Sequence, residues 1–153
     1  MAIFSFKLKT LHRLKTQLED QAKNKFSAAV ARFNVELFKL NKINSAIASA
    51  IEDFRKLSGG RFTAGKIRDF NYYLASMKEK AAIQEIAVEK ALNAVNRTRE
   101  ELIVASRERE MYDKLRDKAY AIHMNEEKRA EQRVVDEIVS YRGSSKSELQ
   151  EVI

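Results

Sequence analysis

The sequence predicts an all-α fold, a long two-helix antiparallel coiled-coil hairpin with a longer second helix, and three observations carry that prediction. The 153 residues contain no proline and only four glycines, which leaves few places to stop a helix or turn a strand. Three of the glycines, Gly59, Gly60 and Gly65, fall within seven residues, so the chain has one turn-like stretch before Tyr141. On either side of it, apolar residues recur at the alternating steps of four and three that mark a coiled-coil seam.

The first helix is expected over about residues 4–57. Its seam reads Leu11, Leu14, Leu18, Ala22, Phe26, Ala29, Phe33, Leu37, Leu40, Asn44, Ile47, Ile51, Phe54. Consecutive steps of four from Leu14 to Phe26 imply a locally unwound supercoil. The turn spans 58–65, where Gly59 or Gly60 can take a left-handed closing position and Thr63 can cap the next helix. The second helix runs over about 66–141. Its seam is Phe70, Leu74, Met77, Ala81, Gln84, Val88, Ala91, Val95, Thr98, Leu102, Ala105, Arg109, Tyr112, Arg116, Ala119, of which eleven of fifteen are apolar. Residues 144–153 read as a polar, frayed tail after a single hairpin domain of 1–143.

With the turn centred near Phe62, residue 62−k lies beside residue 62+k. Phe4 then faces the region of Tyr120, and the arms are unequal: about 80 and 110 Å at 1.5 Å per residue. Some twenty residues after Ile122 lack a partner helix, which exposes Ile122, Met124, Val134, Val135, Ile138 and Val139. An amphipathic helix with nothing to lie against is a binding element awaiting a groove; the plainer reading is a frayed end.

Composition excludes several function classes. Without cysteine there are no disulfides, thiolate metal sites or cysteine nucleophiles, which fits a reducing cytosol. No apolar run reaches the length of a membrane span, and the first residues lack the pattern of a signal peptide. A cytoplasmic protein, held at the inner face of the membrane only through partners, is expected. The net charge of +7 is uneven: residues 1–58 carry 11 Lys+Arg against 5 Asp+Glu, and residues 67–153 carry 16 against 17. The basic first arm is a solvated face or an attraction to acidic partners. It lacks the interleaved aromatics of a nucleic-acid module, so no nucleic acid is expected.

No chemistry is legible. Gly60-Arg-Phe-Thr-Ala-Gly65-Lys66 matches seven positions of a phosphate-binding loop, but Ile67 stands where Ser or Thr must hold magnesium, and no strand precedes it. The stretch is a hairpin turn. His12 and His123, the only histidines, are far apart in the hairpin register and outside any metal-spaced cluster. Two helices enclose no pocket for a small-molecule substrate. An enzyme is not expected, nor any cofactor or metal.

Three stretches carry a family resemblance. Phe4-x-Phe-x-Leu8-x-x-Leu11 before a charged helix is similar to the opening of the FliJ-type flagellar export proteins. So is Arg68-Asp-Phe-Asn-Tyr-Tyr-Leu74, continuing to Gln84, just after the turn. Asn125-Glu-Glu-Lys-Arg-Ala-Glu-Gln-Arg133-Val-Val-Asp-Glu137 resembles that family's charged C-terminal signature. The likeness covers about residues 3–140 and implies a soluble component of the flagellar type III export apparatus. Its implied partners are a hexameric export ATPase, entered as a stalk, the cytoplasmic domain of the membrane export gate, and export chaperones. It assigns the ATPase contact to Arg129, Arg133, Asp136 and Glu137, and the gate contact to Leu74, Met77, Ala81 and Gln84. The alternatives are the equivalent stalk of a virulence-type secretion system, a membrane-surface protein using the first helix, and a structural coiled coil that homodimerises through its exposed end.

Overall fold

A computed structural model of the protein describes residues 3–57, 59–60 and 63–152. They form two helices, α1 (Lys9–Leu57) and α2 (Ala64–Glu151), of 49 and 88 residues. The helices pair as an antiparallel hairpin with the second the longer, which is the fold class the sequence predicts. Contacts divide the chain into two units, residues 18–105 and residues 3–17 with 106–152.

Within residues 18–105 the α2 seam is as the spacing predicts. Ala81, Ala91 and Val95 are buried, and Phe70, Leu74, Met77, Gln84, Val88, Thr98, Leu102 and Ala105 are half-buried. Small side chains at this seam let the two backbones approach, and aromatic rings fill the layers between. Phe54 stacks on Phe70 with ring centroids 4.1 Å apart, and the Arg99 guanidinium lies 5.8 Å from the centre of the Phe26 ring. The first pair obeys the expected register of 62−k beside 62+k, and the second lies one residue from it.

The α1 seam is more regular than the apolar residues alone suggest. In this unit Glu19, Ala22, Phe26, Ala29, Phe33, Glu36, Leu40, Ile43, Ile47, Ala50 and Phe54 are buried or half-buried in an unbroken alternation of three and four, and Val30, Leu37 (an expected seam residue) and Ala46 beside them are half-buried too. Asn44 and Ile51 are exposed, and Ile43 and Ala50 take their places. The expected unwinding of the supercoil is therefore unnecessary. The seam takes in acidic positions, Glu19 and Glu36, that an apolar stripe leaves out.

Glu19 is only 4% exposed. Its carboxylate accepts from Lys23 Nζ at 2.9 Å, one helical turn on. Glu36 is held from across the hairpin, where Gln84 Nε2 donates to its backbone carbonyl at 2.9 Å and to its Oε2 at 2.5 Å. Removing one partner of a buried charge pair is destabilising, whereas replacing the whole pair by apolar residues is often neutral. Glu19→Leu takes away one partner and is therefore expected to lower stability by about 1 kcal/mol in denaturant unfolding.

At the turn, Gly60 N donates to Leu57 O at 3.1 Å. No described glycine has positive φ, so a tight three-residue hydrogen bond, not the expected left-handed glycine, follows α1. Thr63 does cap α2: its Oγ1 accepts from Lys66 N at 3.4 Å. Ser58, Arg61 and Phe62 lie outside the described residues.

In the unit of residues 3–17 and 106–152, α1 starts at Lys9 instead of near residue 4. Lys9 N donates to Phe6 O at 3.1 Å, and His12 N makes the first α-helical bond, to Leu8 O at 2.8 Å. The non-helical start is anchored by Phe4, which meets Tyr120 edge-on with centroids 5.2 Å apart and His123 at 5.4 Å. That is the expected register. Leu8, His12 and Lys15 face α2, and the leucines expected there do not: Leu11, Leu14 and Leu18 are 41%, 46% and 38% exposed.

α2 does not stop near residue 141. It passes through Gly143 to Glu151. One glycine costs a helix only about 1 kcal/mol relative to alanine, and the serines of the expected tail bond back onto the helix. Ser144 Oγ donates to Ser140 O at 3.2 Å, and Ser147 Oγ to Ser144 O at 2.8 Å.

Candidate partner-binding surface

Beyond Glu127, every described residue of α2 is exposed except the half-buried Ser145. Arg129, Arg133, Asp136 and Glu137, the residues assigned to the ATPase, all lie on this stretch. Helical spacing puts Arg129, Arg133 and Asp136 on one face. Gln132 Nε2 donates to Asp136 Oδ1 at 2.9 Å, and Arg129, Arg133 and Glu137 make no ion pair among the described residues. On the opposite face, Val134, Val135 and Ile138 are half-exposed or more. The segment is thus an amphipathic helix that presents both a charged and an apolar face to solvent. Ile122 is likewise exposed as expected, and Met124 is half-buried.

Leu74, Met77, Ala81 and Gln84, the residues assigned to the export gate, are inward-facing seam residues. Ala81 is buried and Gln84 is bonded to Glu36. The same stretch turns Tyr72, Tyr73, Ile83 and Ile86 outward, with Tyr72 71% exposed. Sequence reasoning passed over these four. The signal for them was available: large apolar residues lying off a seam that was already assigned.

A cluster of charges ties the start of α1 to α2. His12 Nε2 and Arg109 Nη1 both bond the Asp113 carboxylate, and Lys15 Nζ donates to Glu108 Oε2 at 2.9 Å. The hydrogen bond from His12, then the charges of Arg109, His12 and Arg116, hold the Asp113 carboxyl below its ordinary range against a smaller opposing effect of burial. Its folded pKa is below its unfolded one, so the stabilisation is present above the unfolded value of about 4 and is lost as pH falls through the folded value. Asp113→Asn is expected to lower the thermal midpoint at pH 7. The gap from the parent should then close as pH is taken below about 4. Lys15 is raised by its hydrogen bond to Glu108.

No described helix is long and apolar enough to cross a membrane. Comparison with known proteins matches residues 4–148 to the sequence model of the flagellar FliJ protein family. Among solved structures, the chain is similar to CT670 of Chlamydia trachomatis, described as a YscO homolog, with a TM-score of 0.64 and 19% identity over 95% of this chain and 99% of the other. At that identity the likeness concerns the fold. No curated protein matches the sequence.

Proposed function

Because the chain belongs to the flagellar FliJ protein family, and so to the coiled-coil proteins associated with type III export, we propose that it binds the export ATPase ring as a stalk through the exposed end of α2. The observation that carries this reading is the α2 segment after Glu127, an amphipathic helix with its charged and apolar faces both free of α1. A helix of this kind enters a partner's groove or central opening without unfolding anything first. In the same reading the hairpin links the ring to the cytoplasmic domain of the export gate and to export chaperones, and it acts in the cytoplasm at the inner face of the membrane.

The gate contact, on this reading, uses the outward Tyr72, Tyr73, Ile83 and Ile86, because the seam residues beside them are occupied within the hairpin. Arg129 and Arg133 then pair with carboxylates of the ATPase, and Asp136 and Glu137 with its cations. The experiment is ATP hydrolysis by the cognate ring, titrated with the chain or with Arg133→Glu. Stimulation by the parent with an apparent affinity weakened about tenfold or more in the variant is expected. No stimulation by the parent, or the same affinity for both, would refute the assignment.

A further inference from the structure

No described residue of 3–17 or 106–152 is buried, whereas residues 18–105 bury Glu19, Ala22, Ala81, Ala91 and Val95. The difference follows from the side chains that face across the helix pair. In residues 18–105 they are mostly apolar. In the other unit α1 presents Leu8, His12 and Lys15 to α2, while Leu11 and Leu14 are exposed. Phe4 supplies the aromatic anchor, on Tyr120 and His123. Two clefts, of about 470 and 610 Å³, border Phe4, Ser5 and Phe6. Arg116 of α2 lines the first, and Leu115, Ala119 and Ile122 line the second, so water reaches this pairing from more than one side.

What else holds this end is ionic. His12 and Arg109 both bond the Asp113 carboxylate, and Lys15 Nζ donates to Glu108 Oε2 across the helices. Residues 3–17 carry Lys7, Lys9, Arg13 and Lys15 and no carboxylate, and residues 106–127 carry five Lys+Arg against six Asp+Glu. The attraction therefore runs between the helices. It is also weak and open to salt, because the Asp113 and Glu108 side chains are 30% and 43% exposed. Pairs in contact with water stabilise little, and mobile ions screen them.

We infer that residues 3–17 are a strap that parts from residues 106–122 while residues 18–105 stay paired, and that the His12–Asp113 and Lys15–Glu108 pairs are its clasp. A segment with few buried apolar contacts and a water-accessible pairing opens well below the free energy of global unfolding. With the strap open, α2 lacks a partner from about residue 106 instead of 128, and its free end lengthens from about 36 to about 69 Å. The consequence for function rests on the stalk role proposed above: the clasp sets how much of α2 is free to enter the ring. The strap itself does not depend on that role, and it is tested in the chain alone.

Hydrogen–deuterium exchange of the full chain at one pH, in about 0.05 M and about 1 M sodium chloride, is the test. At low salt, residues 9–17 and 106–122 are expected to share one level of protection. That level lies about tenfold or more below the stretches around Ala22, Ala81 and Val95 and above residues 128–151. High salt is expected to lower it a further threefold or so, with little change around Val95. Lys15→Leu combined with Glu108→Leu replaces a whole pair by an apolar layer. That variant is expected to raise the protection of both stretches about threefold or more and to blunt the response to salt. Protection of residues 9–17 equal to that around Val95, or no protection there at low salt, would overturn the inference. So would open residues 9–17 beside a fully protected 106–122, or exchange indifferent to salt or to the double substitution.

Discussion

Val95→Asp is expected to destabilise the hairpin by about 3 kcal/mol or more and to lower its thermal midpoint by on the order of 10 °C. Val95 is 4% exposed, the least accessible apolar residue described, and lies at a seam position of α2 where α1 packs closely. A carboxylate there must shed its water, and the nearest cation on that face, Arg99 one turn on, is already laid over the Phe26 ring. It either stays charged at a large desolvation cost or takes up a proton against its ordinary pKa. Two helices have no second layer behind them, so the neighbours cannot repack to admit water without parting the seam. The control is Leu92→Asp, three residues away on the outward side and 42% exposed, which is expected to change stability by roughly 0.5 kcal/mol or less. Denaturant unfolding of the two variants checks the pair. Equal costs would mean that the seam does not run where it is described.

Removal of residues 128–153 is expected to abolish stimulation of the cognate export ATPase and to leave the unfolding of the paired hairpin nearly unchanged. The two halves of that expectation have separate origins. The hairpin's anchors in this unit end with Phe4 on Tyr120 and His123, and His123 itself is closed by Glu127 at 3.3 Å. A cut after Glu127 spares all of them. The loss of stimulation follows from the proposed stalk role alone, because the cut takes away Arg129, Arg133, Asp136, Glu137 and the apolar face behind them together. Full stimulation by the truncated chain would end that proposal and leave the fold intact. A large fall in the thermal midpoint would instead mean that the α2 end packs on its own hairpin.

Much of the fold was legible because α2 keeps apolar residues at most positions of an uninterrupted repeat, and because clustered glycines fix a single turn. Those two facts also set the register, which Phe54 on Phe70 and Phe4 on Tyr120 follow. The start of α1 was misread for a physical reason. Its inward positions are His12, Lys15 and Glu19, and hydropathy ranks Leu11, Leu14 and Leu18 above them. A polar seam residue is legible only with its partner in view, and Asp113 and Glu108 lie about a hundred residues away in sequence. Gly143 does not end α2, because a single glycine is a weak stop when no proline follows and nearby serines can bond back to the helix. The exposed end of α2 was legible by arithmetic, because arms of unequal length leave a remainder. The residues assigned to the gate came from a family likeness, which says which stretch matters but not which of its sides faces out.

Hydrogen–deuterium exchange of the chain, alone and with its cognate export ATPase, tests the central claim most directly. A helix that packs on nothing opens readily. Residues 128–151 are therefore expected to exchange fast in the dilute free chain, and the paired stretches around Ala22, Ala81, Ala91 and Val95 slowly. The ATPase is expected to slow exchange across 128–151. Slow exchange there in the dilute free chain, or protection by the ATPase confined to other residues, would contradict the account.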